Sequence, residues 1–235
     1  EEKAIELDPD NSSAHISLAL SYQELGKNEL ALAQYDVVFR QHPSLHSIRF
    51  DYANLLAEMG KDEAAVENYK IYITNFPEDA RGYQNIGIVY KRLNNLDDTI
   101  ANFEKALELQ KDKKDVELQE DLAECYHIKK DYANALKYYD EVLLVKNDDY
   151  DVRMNKALVL HAMKNYNDAI AMYTQLLTEK ESPALQNNLT AALVSQADEY
   201  LKAQNYSLAT ETFERAIQRG SRENFSSFGL AQAYR

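Results

Sequence analysis

Most of the residues able to do chemistry here are titratable or amide side chains at helical spacing, and their pattern suits recognition more than catalysis. Glu117, Glu120, Asp121 and Glu124 stand at i, i+3, i+4 and i+7, with His127 next, so they share one helix face. Like charges on successive turns disfavour a helix by a few tenths of a kcal/mol per pair. A basic ligand segment would relieve that repulsion; an ordinary solvated face would need none. Arg81, Lys91 and Arg92 form a mixed basic set suited to acidic residues or a C-terminal carboxylate. Ser17, Asp51, Asn85, Asp121, Asn155, Ser195 and Gly229 follow one another at 34 residues, with exceptions of 36 and 40. Asn and Asp are poor residues inside a helix, so their return in phase wants a cause. An Asn side chain has both an acceptor and a donor, matching a peptide group. A row of them would bond the backbone of an extended peptide, although a narrow solvated groove tolerating only small residues would leave the same trace.

Catalytic signals are weak. No Gly-rich phosphate loop, Gly-x-Ser-x-Gly turn or His-Glu-x-x-His motif occurs. His127 and His161 occupy equivalent places 34 residues apart, with Cys125 near the first. Helices packed side by side stand roughly 10 Å apart, which is marginal for one shared metal. Cys125 reads as a small core residue. Neither an enzyme nor a metal or cofactor site is expected within this sequence.

Composition narrows the partner. The chain has 235 residues, 45% of them hydrophobic, with 26 basic and 39 acidic residues and a net charge of -13. Such a chain repels phosphate backbones and anionic lipid, so nucleic acid and membrane surfaces are poor partners and a basic protein segment is favoured. Only 6 Gly and 4 Pro occur, few for an all-β chain that turns every ten residues or so. A single cysteine cannot form an internal disulfide, which suits a reducing compartment. No apolar run approaches the roughly 18 residues of a membrane span. The cytoplasm is the default compartment when no targeting segment is visible, and a start at Glu1 without an initiator Met leaves room for one upstream.

The elements that must position these residues are repeated helices. A small residue followed four later by an aromatic recurs at Ala31/Tyr35, Ala65/Tyr69, Ala135/Tyr139, Ala169/Tyr173 and Ala209/Phe213, with Thr99/Phe103 as a variant. Between these sit Ala19/Tyr22, Ala53/Leu56, Gly87/Tyr90, Ala123/Tyr126, Ala157/Leu160, Ala197/Tyr200 and Ala231/Tyr234. Small and large apolar residues at this spacing share one helix face. The small ones let two helices approach and the rings fill the gaps beside them. Gly26 and Gly60 suit the left-handed backbone that closes a helix, and Pro9, Pro43 and Pro77 stop second helices at a fixed repeat position.

This pattern resembles the tetratricopeptide repeat family, whose unit is a 34-residue helix-turn-helix. The resemblance implies an all-α fold, a right-handed superhelix or solenoid of helical hairpins. Complete repeats fall at 12–45, 46–79, 80–115, 116–149, 150–189 and 190–223. Residues 1–11 end an earlier repeat and 224–235 begin a further one, giving a single solenoid over 1–235. The family's frequent Trp is replaced by residues such as His15, and the terminal Pro by Lys111, Asn147 and Glu181. Lys156 and Gln196 occupy positions that are apolar in most of the other units. Ser182-Pro183 marks a long leading helix near 183–203.

In this family the leading helices line a concave groove. Carried over, that implies groove positions for Ser17, Asp51, Asn54, Arg81, Asn85, Lys91, Glu117, Glu120, Asp121, Glu124, His127, Met154, Asn155, Leu158 and His161. Ile16, Leu20, Phe50 and Ile88 join Met154 and Leu158 as apolar pockets, or as packing between neighbouring leading helices. Ile16 and Leu20 stand where the carboxylate-clamp members need Lys and Asn, which argues against binding of chaperone tails. The function implied is a protein-protein interaction module, a scaffold or adaptor that holds a peptide segment of a partner. Two alternatives stay open: a self-associating scaffold that uses exposed Tyr on the trailing helices, such as Tyr138, and the recognition arm of an enzyme whose catalytic domain lies elsewhere.

Overall fold

The computed structural model describes residues 2–110, 115–220, 229, 230 and 232. Among them are thirteen α-helices and no strand. Lys111, Ala231, Tyr234 and most of the further repeat expected at 224–235 lie outside the described residues.

The chain divides into two compact units, one ending at Leu118 and the other starting at Gln119. The first holds α1 (Glu2–Leu7), α2 (Ser12–Glu24), α3 (Asn28–Gln41), a short 3-10 turn (His46–Ile48) leading into α4 (Arg49–Glu58), α5 (Asp62–Asn75), α6 (Ala80–Arg92) and α7 (Leu96–Gln110). Helix α8 (Val116–Ile128) spans the division. The second unit holds α9 (Tyr132–Leu143), α10 (Tyr150–Ala162), α11 (Tyr166–Glu179), α12 (Pro183–Lys202) and α13 (Tyr206–Gln218). The extent of α12 follows the Ser182-Pro183 start: the Ser182 hydroxyl accepts from the Leu185 N–H at 3.3 Å, and Pro183 takes the first helical position.

One local device closes every hairpin. The residue after the leading helix's C-cap adopts a left-handed backbone, at Gly26, Gly60, Asn94, Lys130, Lys164 and Gln204. The next N–H then reaches back to the carbonyl five residues earlier: Lys27 to Tyr22, Lys61 to Leu56, Asn95 to Tyr90, Asp131 to Tyr126, Asn165 to Leu160 and Asn205 to Tyr200, all at 2.8–2.9 Å. This is the Schellman closure, which satisfies carbonyls that a helix end leaves bare. Only the first two turns use Gly. At the other end, His42 and Phe76 stand before Pro43 and Pro77 with φ near -130°, outside the helical region that a following Pro disfavours. That ends α3 and α5.

The core alternates small and large side chains. Ala19, Ala53, Ala123, Ala157 and Ala197 on leading helices, and Ala31, Ala65, Thr99, Ala135, Ala169 and Ala209 on trailing ones, are wholly buried. Into the gaps go Tyr35, Tyr69, Phe103, Tyr139, Tyr173 and Phe213, also buried. Full burial of such a ring contributes about 1.5–3 kcal/mol. Two of these rings share a cluster with the next leading helix: Tyr69 with Ile86 and Val89 of α6, and Tyr173 with Leu185 and Leu189 of α12.

Three polar residues at core positions have found partners. Gln196 is buried and its amide donates to Asn167 Oδ1 at 2.6 Å. Lys156 Nζ pairs with Asp140 at 2.6 Å. His15 engages Gln34 Oε1 at 2.7 Å through Nδ1 and the Pro9 carbonyl at 3.0 Å through Nε2. One expectation is corrected. Tyr138 is not exposed: only 6% of it meets solvent, and its ring stacks on Tyr126 with centroids 5.8 Å apart.

Candidate functional site

In the first unit a depression of about 360 Å³ opens between α4 and α6, with Tyr69 of α5 beneath. Asn54, Ala57 and Glu58 line it from α4, and Asn85, Ile88, Val89 and Arg92 from α6. Its chemistry follows from one buried ring. The Tyr69 hydroxyl meets the leading helix α4 and donates to Asn54 Oδ1 at 2.5 Å. Burial pushes the Tyr69 phenol up to about 12, so it remains a donor across the physiological range. Asn85 Nδ2 donates to the same oxygen at 2.8 Å. That oxygen, holding two donors, fixes how both amides are turned. The Asn54 NH₂ and the Asn85 carbonyl oxygen then have no partner among the described residues. One donor and one acceptor stand side by side, the complement of a peptide group. Ile88, 41% exposed, supplies an apolar wall, and Glu58 is exposed on the rim. Arg92 is committed: it reaches the Asp62 carboxylate and the Ala57 carbonyl.

The same construction recurs with other contents. Under Asp51, the Tyr35 hydroxyl donates to Gln23 Oε1 at 3.0 Å, and burial drives that phenol far above its ordinary range. Burial also raises the Asp51 carboxyl, partly offset by the Arg81 guanidinium. In the second unit, Leu158 takes the repeat position of Asn54. The Tyr173 hydroxyl is accordingly buried with no hydrogen-bond partner among the described residues. His161 stands edge-on to Tyr173 and Tyr166 and reaches Ser195 Oγ at 3.5 Å; burial lowers its pKa.

The remaining candidates are placed as follows. Ser17 is exposed, while Asn155, Met154 and Leu158 are half-buried, and no partner for the Asn155 amide occurs among the described residues. Arg81 forks onto Asp79 and lies over the Phe50 ring. It begins α6 whereas Lys91 ends it, about 15 Å away at 1.5 Å per residue, so the two do not form one basic site. On α8, Glu117 and Glu124 are exposed, and Glu120 and Asp121 half-buried; Lys146 pairs with Glu120 at 3.3 Å and neutralises part of that face. His127 stands edge-on to Tyr132, the same contact that His161 makes with Tyr166, and burial lowers its pKa despite Glu124 nearby. No cluster of three or more His, Cys, Asp or Glu suited to a metal occurs among the described residues. No described helix is long and apolar enough to cross a membrane. The sequence pattern did not reveal Tyr69 as the support of the Asn pair, although Tyr at that place in successive repeats was the available signal.

Comparison with known proteins agrees with this architecture. A family model for the N-terminal TPR repeats region of Psidin matches residues 21–134, and two tetratricopeptide repeat models match residues 2–33 and 128–193. The chain belongs to the tetratricopeptide repeat family. It is 27% identical over 140 residues to the type IV pilus assembly protein PilF of Pseudomonas aeruginosa, covering 59% of this chain and 55% of that one. The match thus spans little more than half the length of that relative. Among solved structures, MamA superposes with a TM-score of 0.63 at 14% identity, covering 74% of this chain and 93% of that one. YrrB, described as a TPR protein with an unusual peptide-binding site, gives 0.56 at 17% identity, covering 82% and 95%. At those identities the likeness is one of fold. Tetratricopeptide repeats are in general protein-interaction scaffolds, and the matching models describe repeats, not a catalytic family.

Proposed function

We propose that this chain is an adaptor that holds an extended peptide segment of a partner protein on its leading helices, with Asn54 and Asn85 bonding the peptide backbone. The observation that carries the reading is the shared Asn54 oxygen, which pre-turns one amide to donate and the other to accept. Groups held in place before the ligand arrives bind it at lower entropic cost. Ile88 receives an apolar ligand side chain. The net charge of -13 and Glu58 on the rim favour a basic segment. YrrB, a repeat protein described with a peptide-binding site, lends support by analogy of fold.

The test is affinity capture with the wild-type protein, identification of the retained segment by mass spectrometry, and titration of that segment as a synthetic peptide. Asn54→Ala with Asn85→Ala should weaken binding by about tenfold or more, the worth of two hydrogen bonds. Tyr69→Phe, which leaves both amides in the groove, should lose much less. An affinity unchanged in the Asn double variant, with helicity intact, removes the reading.

A further inference from the structure

Three arginines of this acidic chain are paired with a carboxylate. Arg81 holds Asp79, Arg92 holds Asp62, and Arg153 takes both oxygens of Glu179 at 2.7 and 2.6 Å. For Arg215 and Arg219, neither guanidinium has a hydrogen-bond or ion-pair partner among the described residues. They stand four residues apart at the end of α13, on one face and about 6 Å apart along the axis. Both line a recess of about 190 Å³ enclosed by Thr174 of α11, Leu189 and Leu193 of α12, and Gln218. This recess shares no lining residue with the groove candidates His161 and Asn155.

Its lining sorts cleanly by chemistry. Leu189 and Leu193 form a buried apolar floor. The Thr174 hydroxyl is already spent on the Ile170 carbonyl at 2.7 Å. Gln186 Nε2 donates to the Arg219 carbonyl at 2.7 Å and fixes the backbone there. What remains for a ligand is two guanidiniums and the Gln218 amide. A helix C-terminus favours cations in its last turn on its own account, but that preference does not require both to line one recess.

We propose that this recess is an oxyanion site that takes a phosphate group. Guanidinium pairs with phosphate oxygens through parallel N–H donors. A phosphate carries about -1.5 to -2 at pH 7 and matches two cations, whereas a carboxylate leaves one uncompensated. The chain's overall charge of -13 repels anions, so affinity here is local. The phosphate comes either as the free ion or on a phosphorylated side chain of a partner.

The experiment follows the side-chain Nε–H signals of Arg215 and Arg219 by NMR in the whole chain. Sodium phosphate, N-acetyl-phosphoserine amide and sodium acetate are titrated separately, with sodium chloride at matched ionic strength. Saturable shifts of both signals with phosphate are expected, and each of Arg215→Gln and Arg219→Gln should weaken binding about tenfold. Both positions are exposed, and circular dichroism checks that the variants fold. Phosphoserine amide binding as tightly as phosphate assigns the site to a phosphorylated segment; phosphate binding alone assigns it to the free ion. The proposal is overturned by shifts that do not saturate, by acetate or chloride acting as strongly as phosphate, or by binding that survives both substitutions.

Discussion

The Phe103 ring lies so close to Gly87 that a Cβ on residue 87 would stand 2.5 Å from two of its carbons. In the other hairpins an Ala occupies this place. Overpacking costs about 1–3 kcal/mol, while replacing Gly inside a helix returns about 1 kcal/mol. Gly87→Ala is therefore expected to lower stability by a net ~1 kcal/mol, read by urea denaturation. A variant as stable as the parent would mean that the ring can shift freely.

Lys130 holds a left-handed backbone, φ 62°, at the turn after α8. That conformation costs an L-residue about 1–2 kcal/mol, against about 0.4–1 kcal/mol of extra unfolded-state freedom for Gly. Lys130 makes no ion pair among the described residues, so its side chain gives up nothing there. Lys130→Gly is expected to raise stability by about 0.5–1 kcal/mol, visible as a higher Tm in calorimetry. No change, or a fall, would show that the turn carries no strain worth relieving.

Two buried tyrosines at the same repeat position should respond in opposite ways. The Tyr69 hydroxyl is bonded to Asn54, whereas that of Tyr173 has no partner among the described residues. Tyr69→Phe is expected to cost about 1 kcal/mol. Tyr173→Phe removes an unpaired polar group and should be neutral or stabilising. Equal losses in both, measured by chemical denaturation, would contradict this contrast.

Asp79 caps α6 through the Arg81 N–H at 3.0 Å, takes the Arg81 guanidinium, and accepts from the Tyr72 hydroxyl at 2.6 Å. Its carboxyl is lowered to about 2, chiefly by the Arg81 hydrogen bond. A depressed acid stabilises the fold fully above its ordinary value near 4 and loses that contribution as pH falls toward 2. Asp79→Asn should be less stable at pH 7 and should flatten the dependence of Tm on pH across that window. An unaltered acid profile would put the sensitivity at other carboxylates.

The hairpins were legible because packing imposes a period: Ala31/Tyr35 and Ala65/Tyr69 repeat the same close approach, and the chain writes it in small and large residues. The turns were only half legible. Gly26 and Gly60 announce a left-handed residue, but Lys130, Lys164 and Gln204 adopt it with no compositional signal, since the Schellman bonds enforce it. At the groove, Asn85 could be named from its spacing and Asn54 from the groove positions that the family resemblance implies. How their amides are turned could not, because the Tyr69 hydroxyl beneath them decides it. Arg81 and Lys91 looked alike in sequence, yet a helix's length separates them. Tyr138 looked like a surface ring because its role depends on Tyr126 across the hairpin.

Tyr69 serves two masters: its ring is core, and its hydroxyl sets the posture of Asn54. Ligand preference at this rung is therefore inherited through the architecture beneath it. An engineer wishing to re-letter the groove would have to vary residues 54, 69 and 85 as one block, since mutating the visible pair alone takes from the Tyr69 phenol the oxygen it donates to.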